Sequence, residues 1–196
     1  MSRILVTGFE PFGGETVNPA QELLRAIEGT VDTVLLPVTY KTSIEVLERK
    51  LDEVKPDTVL CLGQAGGRAV LTLERVGVNW QGASIADNDG LLLTGEPIDP
   101  AAPGGYLTTL PIDEMKEAMN AAGAPTQISL SAGTFICNRV LYGALHYAAL
   151  KRPSMKAGFM HVPFLPTQTA GKPTAYPSMP LDLMLTGLRA ALDVLK

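Results

Sequence analysis

Two short runs, Val59-Leu60-Cys61-Leu62 and residues 157–162, are apolar at nearly every position. A strand with one wet face alternates polar and apolar residues, so runs of this kind belong to strands buried on both faces. Helical patterns separate them. Asn18-Pro19 reads as an N-cap with proline at the first helical position, and Gly29 closes that segment. Thr42-Ser43-Ile44-Glu45 has capping-box form, and Ile44, Leu47, Leu51 and Val54 follow at helical spacing up to Pro56. Residues 112–122, 138–150 and 181–195 are further helical stretches, the last with Leu181, Leu185, Leu188, Leu192 and Leu195 on one face. Strand patterns fall at 4–6, 34–38, 58–62, 127–130 and 157–162, with extended character over 70–80. This alternation predicts βαβ crossovers and an α/β fold, a three-layer α/β/α sandwich with a twisted, largely parallel (mixed) sheet. A chain of 196 residues with no visible repeat or linker is expected to form one domain over 1–196. Residues 91–111, rich in proline and glycine, read as a surface excursion or weak hairpin.

The charge balance removes several classes of partner. A net charge of −4 with no cluster of Lys and Arg gives no field for nucleic acid. No apolar run is long enough to span a bilayer or to serve as a signal-peptide core, so no membrane partner and a cytoplasmic address are expected. In that compartment the two cysteines, Cys61 and Cys137, are free thiols. With only His146 and His161 beside them, a Cys/His metal cluster is not expected, nor is any cofactor.

In doubly wound folds, ligands bind at the C-terminal ends of the strands. Residues 9–14, 63–68, Cys137 and His161 all fall at such ends. The loop Gly63-Gln64-Ala65-Gly66-Gly67 could cradle a phosphate, which makes a phosphorylase-type transferase the rival reading, but it lacks both the dinucleotide and the P-loop spacing. Asp87-Asn88-Asp89-Gly90 lacks the alternating ligands of a calcium loop and reads as a turn. Cys61 lies mid-strand and reads as an inert core residue. Cys137 follows a strand-like run interrupted by Gly133 and precedes a helix, where unpaired N–H groups favour a thiolate. It is either a packing cysteine or a nucleophile. His146 lies nine residues further along the same helix, about 13.5 Å along the axis, too far to hydrogen-bond that thiol. His161 is separated from Cys137 by room for a helix and a return strand, which would set the two at one edge of a parallel pair. A core histidine and a catalytic one are both compatible with that position.

Three strings in register resemble the pyroglutamyl peptidase I (pyrrolidone-carboxylate peptidase) family of cysteine peptidases. They are residues 6–19; residues 63–68 with 73–79 and Asp87-Asn88; and residues 131–138 with Phe159-Met160-His161-Val162-Pro163. The resemblance implies removal of an N-terminal pyroglutamyl residue from peptides by a Cys–His–Glu triad through a thioester. It puts the nucleophile on Cys137, the base on His161 and the orienting acid on Glu74, which spacing alone does not single out and which adjacent Arg75 could simply pair. It also implies a substrate pocket containing Phe9, Phe12, Gln64, Phe135 and Ile136. In that pocket a backbone carbonyl from a strand neighbour of Cys137 would accept the lactam N–H. The family's tetrameric assembly implies a homo-oligomer. One departure stands out: Ser84 lies where many relatives carry an arginine thought to assist at the oxyanion. A catalytically weak pyroglutamyl-binding homologue is therefore a further reading.

Overall fold

The computed structural model describes residues 2–196. Its main sheet is built from β1 (Ile4–Phe9), β2 (Asp32–Leu36), β3 (Thr58–Gln64), β4 (Leu71–Glu74), β7 (Thr126–Ser129) and β8 (Lys156–Val162), in the spatial order β2-β1-β3-β8-β4-β7. All neighbouring pairs are parallel except β4 with β8. Two further strands, β5 (Val76–Val78) and β6 (Gly105–Leu107), form a separate antiparallel ribbon, so the 91–111 excursion ends in a real but short hairpin-like pairing.

The apolar runs are explained by a core on each face of the sheet. Leu60, Leu62, Met160 and Val162 point into one, with helices α1 (Pro19–Ala26), α3 (Ile112–Ala121) and α6 (Leu181–Leu195). Val59, Cys61, Ala157 and Phe159 point into the other, with α2 (Ser43–Val54) and α4 (Ile136–Lys151). Successive strand residues serve opposite cores, so no position can be polar without loss. Three layers result. A last short helix, α5 (Pro166–Thr169), follows β8. No helix among the described residues is long and apolar enough to cross a membrane.

Local chemistry sets the boundaries. Asn18 caps α1 by accepting from the Ala20 N–H at 3.0 Å, with Pro19 at the first helical position as expected. The second strand begins at Asp32 rather than 34, because an edge strand tolerates the half-exposed Asp32 and Thr33. Two expectations near Cys137 are corrected. The strand there ends at Ser129, residues 130–135 are irregular, and α4 starts at Ile136 rather than 138, so Cys137 lies inside the first helical turn. Nor is β8 a parallel neighbour of β7: β4 lies between them and runs antiparallel to β8. Strand β7 therefore heads away from the edge where β3 and β8 end. The 130–135 segment, with Gly133 at φ +75°, reverses the chain and carries Cys137 back.

Candidate active site

The pleat of β4 against β8 brings two of the expected residues together. Thr72 lies opposite His161 and Glu74 opposite Phe159, so all four side chains share one face. Glu74 and His161 are diagonal neighbours across the pair, and His161 Nδ1 lies 2.8 Å from Glu74 Oε1. Glu74 is fully buried and His161 nearly so. A carboxylate only accepts, so it fixes the proton on Nδ1 and leaves Nε2 bare on the other side of the ring. Arg75 does not compete for Glu74, because it turns outward to Asp113 at 3.1 Å. Instead Arg68 reaches the same Oε1 at 2.5 Å.

Cys137 arrives from the helix layer that covers this same face. In the register of β3 with β8, Gly63 sits beside His161, and Cys137 Sγ fills the space a side chain at 63 would occupy. A Cβ there would lie 2.8 Å from the sulfur and 2.6 Å from Phe159 Cζ. No hydrogen bond joins Sγ to His161 among the described residues, a looseness common in unliganded sites. Cys61 is buried mid-strand and Cys137 is partly open to solvent.

Burial sets the electrostatics. It would push the Glu74 carboxyl up, but the hydrogen bond and charge of His161, with the charge of Arg68, hold it below the ordinary carboxylate range. Burial lowers His161, and the Glu74 hydrogen bond offsets only part of that. The Cys137 thiol is pushed up to about 12, first by burial and then by the Glu74 charge, with Arg68 opposing. Burial likewise pushes Cys61 up to about 12. These shifts favour the uncharged forms of the Cys137 thiol and the His161 imidazole and the ionised form of the Glu74 carboxyl.

The first turn of α4 is anchored by Asn138, which is buried. Its Oδ1 accepts from the Val78 N–H at 3.0 Å, and its Nδ2 donates to Val78 O and Trp80 O, each at 2.9 Å. Phe135, at the N-cap, offers no side-chain cap to the first-turn N–H groups beside Cys137. We expect Asn138→Ala to cost about 2 kcal/mol, because it leaves the Val78 N–H and the Val78 and Trp80 carbonyls without their partner. A denaturant midpoint that falls with an unchanged slope is the expected reading, and an unmoved midpoint would contradict the anchor.

The aromatic residues separate into two levels. Phe12 and Phe135 touch at a centroid distance of 5.9 Å, and Tyr40, which sequence reasoning missed, meets Phe135 edge-on at 5.7 Å. Phe9 is buried, 6.4 Å from Phe159. Ile136 is likewise buried, and it opens a helix rather than sitting in a strand, so the chain neighbour of Cys137 offers no strand carbonyl. Its own carbonyl points along the helix.

Gln64 is held by a partner that fixes which way its amide faces. The Leu165 N–H donates to Gln168 Oε1 at 2.9 Å, so the other end of Gln168 is the amide nitrogen. That nitrogen donates to Val17 O, to Glu15 Oε2 and, at 2.8 Å, to Gln64 Oε1. Among the described residues no side chain or backbone group claims the Gln64 NH₂. The Asp87 turn proves to be a latch. Asp87 accepts from the Tyr40 N–H at 2.8 Å, and Asn88 donates to Glu10 Oε1 and Pro11 O, tying down the loop that carries Phe12. Ser84 is exposed, two residues beyond Gly82, whose N–H and C=O pair with Thr134 next to Phe135. His146 hydrogen-bonds the Tyr106 hydroxyl at 2.9 Å and stacks on Tyr142, a packing role as expected.

Comparison with known proteins decides the family. The model of the family described as pyroglutamyl peptidase matches residues 2–196. The chain belongs to the pyroglutamyl peptidase family. It is 44% identical over 195 residues to a pyrrolidone-carboxylate peptidase of Alkaliphilus oremlandii, covering 97% of this chain and 91% of that one. A second relative, from Brevibacillus brevis, is 43% identical over 200 residues, covering 98% and 92%. Among solved structures, the pyroglutamyl peptidase I of Bacillus amyloliquefaciens superposes with a TM-score of 0.94 at 38% identity, covering 97% of this chain and 95% of that one. A mutant pyrrolidone carboxyl peptidase of Pyrococcus furiosus gives 0.93 at 39% identity, covering 98% and 97%. As a pyroglutamyl peptidase, the chain is a cysteine-type hydrolase rather than a phosphorylase-type transferase.

Proposed function

We propose that this pyroglutamyl peptidase cleaves after an N-terminal pyroglutamyl residue with Cys137 as nucleophile, His161 as base and acid, and Glu74 as the orienting carboxylate. The observation that carries the assignment is the Glu74–His161 bond at 2.8 Å with the Cys137 sulfur seated over Gly63, beside that imidazole. As Sγ attacks the scissile carbonyl carbon, the thiol proton passes to His161 Nε2. The negative charge that develops on the carbonyl oxygen lies near the uncapped N–H groups of the α4 first turn. Collapse expels the amine, which takes the proton from His161, and leaves a thioester. Water, deprotonated by the same imidazole, then releases free pyroglutamate and the thiol.

The pocket suits a small, flat, uncharged lactam. Phe12 and Phe135 supply apolar faces, and Gln64 supplies a donor for a carbonyl oxygen. A prolyl residue has no lactam carbonyl to receive such a donor, and leaving site groups unpaired can discriminate by about 10⁴-fold. The protein should release fluorophore from a pyroglutamyl amide and not from a prolyl amide. Turnover of both at similar rates, or neither, would overturn the assignment. Tight binding of a pyroglutamyl ligand without turnover would favour the weak-homologue reading that Ser84 raises.

Because His161 must be neutral to take the thiol proton and burial lowers its pKa, the acid limb of kcat/KM should lie below the ordinary histidine value of about 6.5. A limb centred above 7 would contradict a desolvated base. A cytoplasmic address and assembly as a homo-oligomer, a tetramer by resemblance, belong to the same proposal. Two free thiols support the first, and the exposed Trp80, Ile85, Leu91 and Leu92 offer apolar surface for the second.

A further inference from the structure

Arg68 lies at the end of the Gly63–Arg68 loop, outside the three residues proposed to do the chemistry. Its Nη1 donates to Glu74 Oε1 at 2.5 Å and also to Thr72 Oγ1. Its Nη2 donates to Ser131 O at 2.9 Å. The Arg68 side chain is 28% exposed, whereas the Glu74 side chain is fully buried. A surface ion pair would need none of this arrangement and would contribute little.

Three features set this cation apart. It shares one carboxylate oxygen with His161, so Glu74 Oε1 carries two N–H donors while Oε2 is buried with no partner among the described residues. Its second nitrogen grips the backbone of the segment that carries Cys137 back to the site, six residues before the cysteine. Its approach depends on Gly67, whose φ of +91° turns the loop back over β4. Resting on the proposed triad, we infer that Arg68 is a positioning residue for this reaction. It fixes the Glu74 oxygen that orients His161 and couples it to the segment that delivers Cys137.

The charges around the triad make the consequence readable. The groups that face it are Arg68 from the loop after β3, Cys61 from β3, Glu74 from β4 and Cys137 from α4. The Glu74 charge raises both the Cys137 thiol and the His161 imidazole, and the Arg68 charge lowers both. Removing the cation leaves Glu74 unopposed. His161 then becomes more basic and the thiol harder to deprotonate. A residue that only held the loop in place would not move the pH profile in that sense.

The test compares Arg68→Gln and Arg68→Lys with the parent enzyme on a pyroglutamyl amide. Arg68→Gln should lose about 10²-fold in kcat with KM changed little, because Arg68 aligns the reacting groups. Its acid limb should move to higher pH. Arg68→Lys should return the limb to its original position while recovering only some of kcat, since an ammonium keeps the charge without the fork. Both should keep the parental far-UV circular dichroism. If Arg68→Gln does not fold, the Arg68→Lys limb position and kcat decide alone. An unmoved limb in Arg68→Gln, a change confined to KM, or full kcat in Arg68→Lys would overturn the inference. Loss of activity in Cys137→Ala beside such a result would fail this inference alone. Activity that survives Cys137→Ala would fail the triad itself.

Discussion

Cys137→Ala should lower kcat/KM on a pyroglutamyl amide by at least about 10⁴-fold, the scale seen when the nucleophile of a triad is removed. Cys61→Ala should leave kcat intact. The two thiols look alike to a titration, since burial pushes both up to about 12. They differ in place. Cys61 is enclosed within β3 with no path for a substrate, whereas Cys137 is partly open and sits in a helix's first turn. Iodoacetamide should accordingly modify one residue, and peptide mapping should locate it at 137. Equal rate losses in the two alanine variants would mean that the wrong sulfur has been assigned. The raised thiol also argues that attack and proton transfer are coupled, so alkylation in the absence of substrate should be slow near pH 7 and rise with pH.

Gly63→Ala is the second large effect. An added Cβ would meet Cys137 Sγ at 2.8 Å and Phe159 at 2.6 and 3.0 Å, and the phenyl ring is wedged in the core with nowhere to retreat. The sulfur is the group free to give, and it would move off the imidazole. Displacing a reacting atom by about 1 Å can cost about 10²-fold in rate, and overpacking adds about 1–3 kcal/mol of destabilisation. The expected result is a folded, less stable enzyme with a collapsed kcat, read from steady-state kinetics and thermal melting together. Wild-type turnover in this variant would show that the thiol does not need the space above residue 63.

The layered fold was legible because burial on two faces leaves a mark in the sequence. Val59 to Leu62 serve two cores alternately, and the resulting run admits few other structures. The antiparallel β4–β8 pair was not legible. Parallel and antiparallel strands buried on both faces have the same composition, and only the 130–135 reversal distinguishes them. Of the site, Cys137 could be singled out by its place at a helix start and His161 by exclusion of His146. Glu74 came from resemblance alone. Its signal is a cross-strand diagonal with His161, 87 residues away, which requires the register of β4 on β8. Arg68, Tyr40 and Gln168 were missed for a related reason. Tyr40 and Gln168 meet partners distant along the chain, Arg68 joins Glu74 to the equally distant Ser131, and none carries a local pattern.

Phe12 and Phe135 lie in contact, so under the proposed assignment a ring seated between them has to part them. A guest must separate rings that already gain about 0.5–1.5 kcal/mol from each other, and it then replaces one aromatic contact with a contact on each of its faces. The net gain depends on thickness. A planar ring can slide between the phenyl groups and touch both, whereas a puckered or branched ring holds them apart and leaves gaps that neither water nor protein fills well. On the proposed assignment, selection at this site is a gauge as much as a hydrogen-bond code, and it favours a guest flat enough to touch both rings at once.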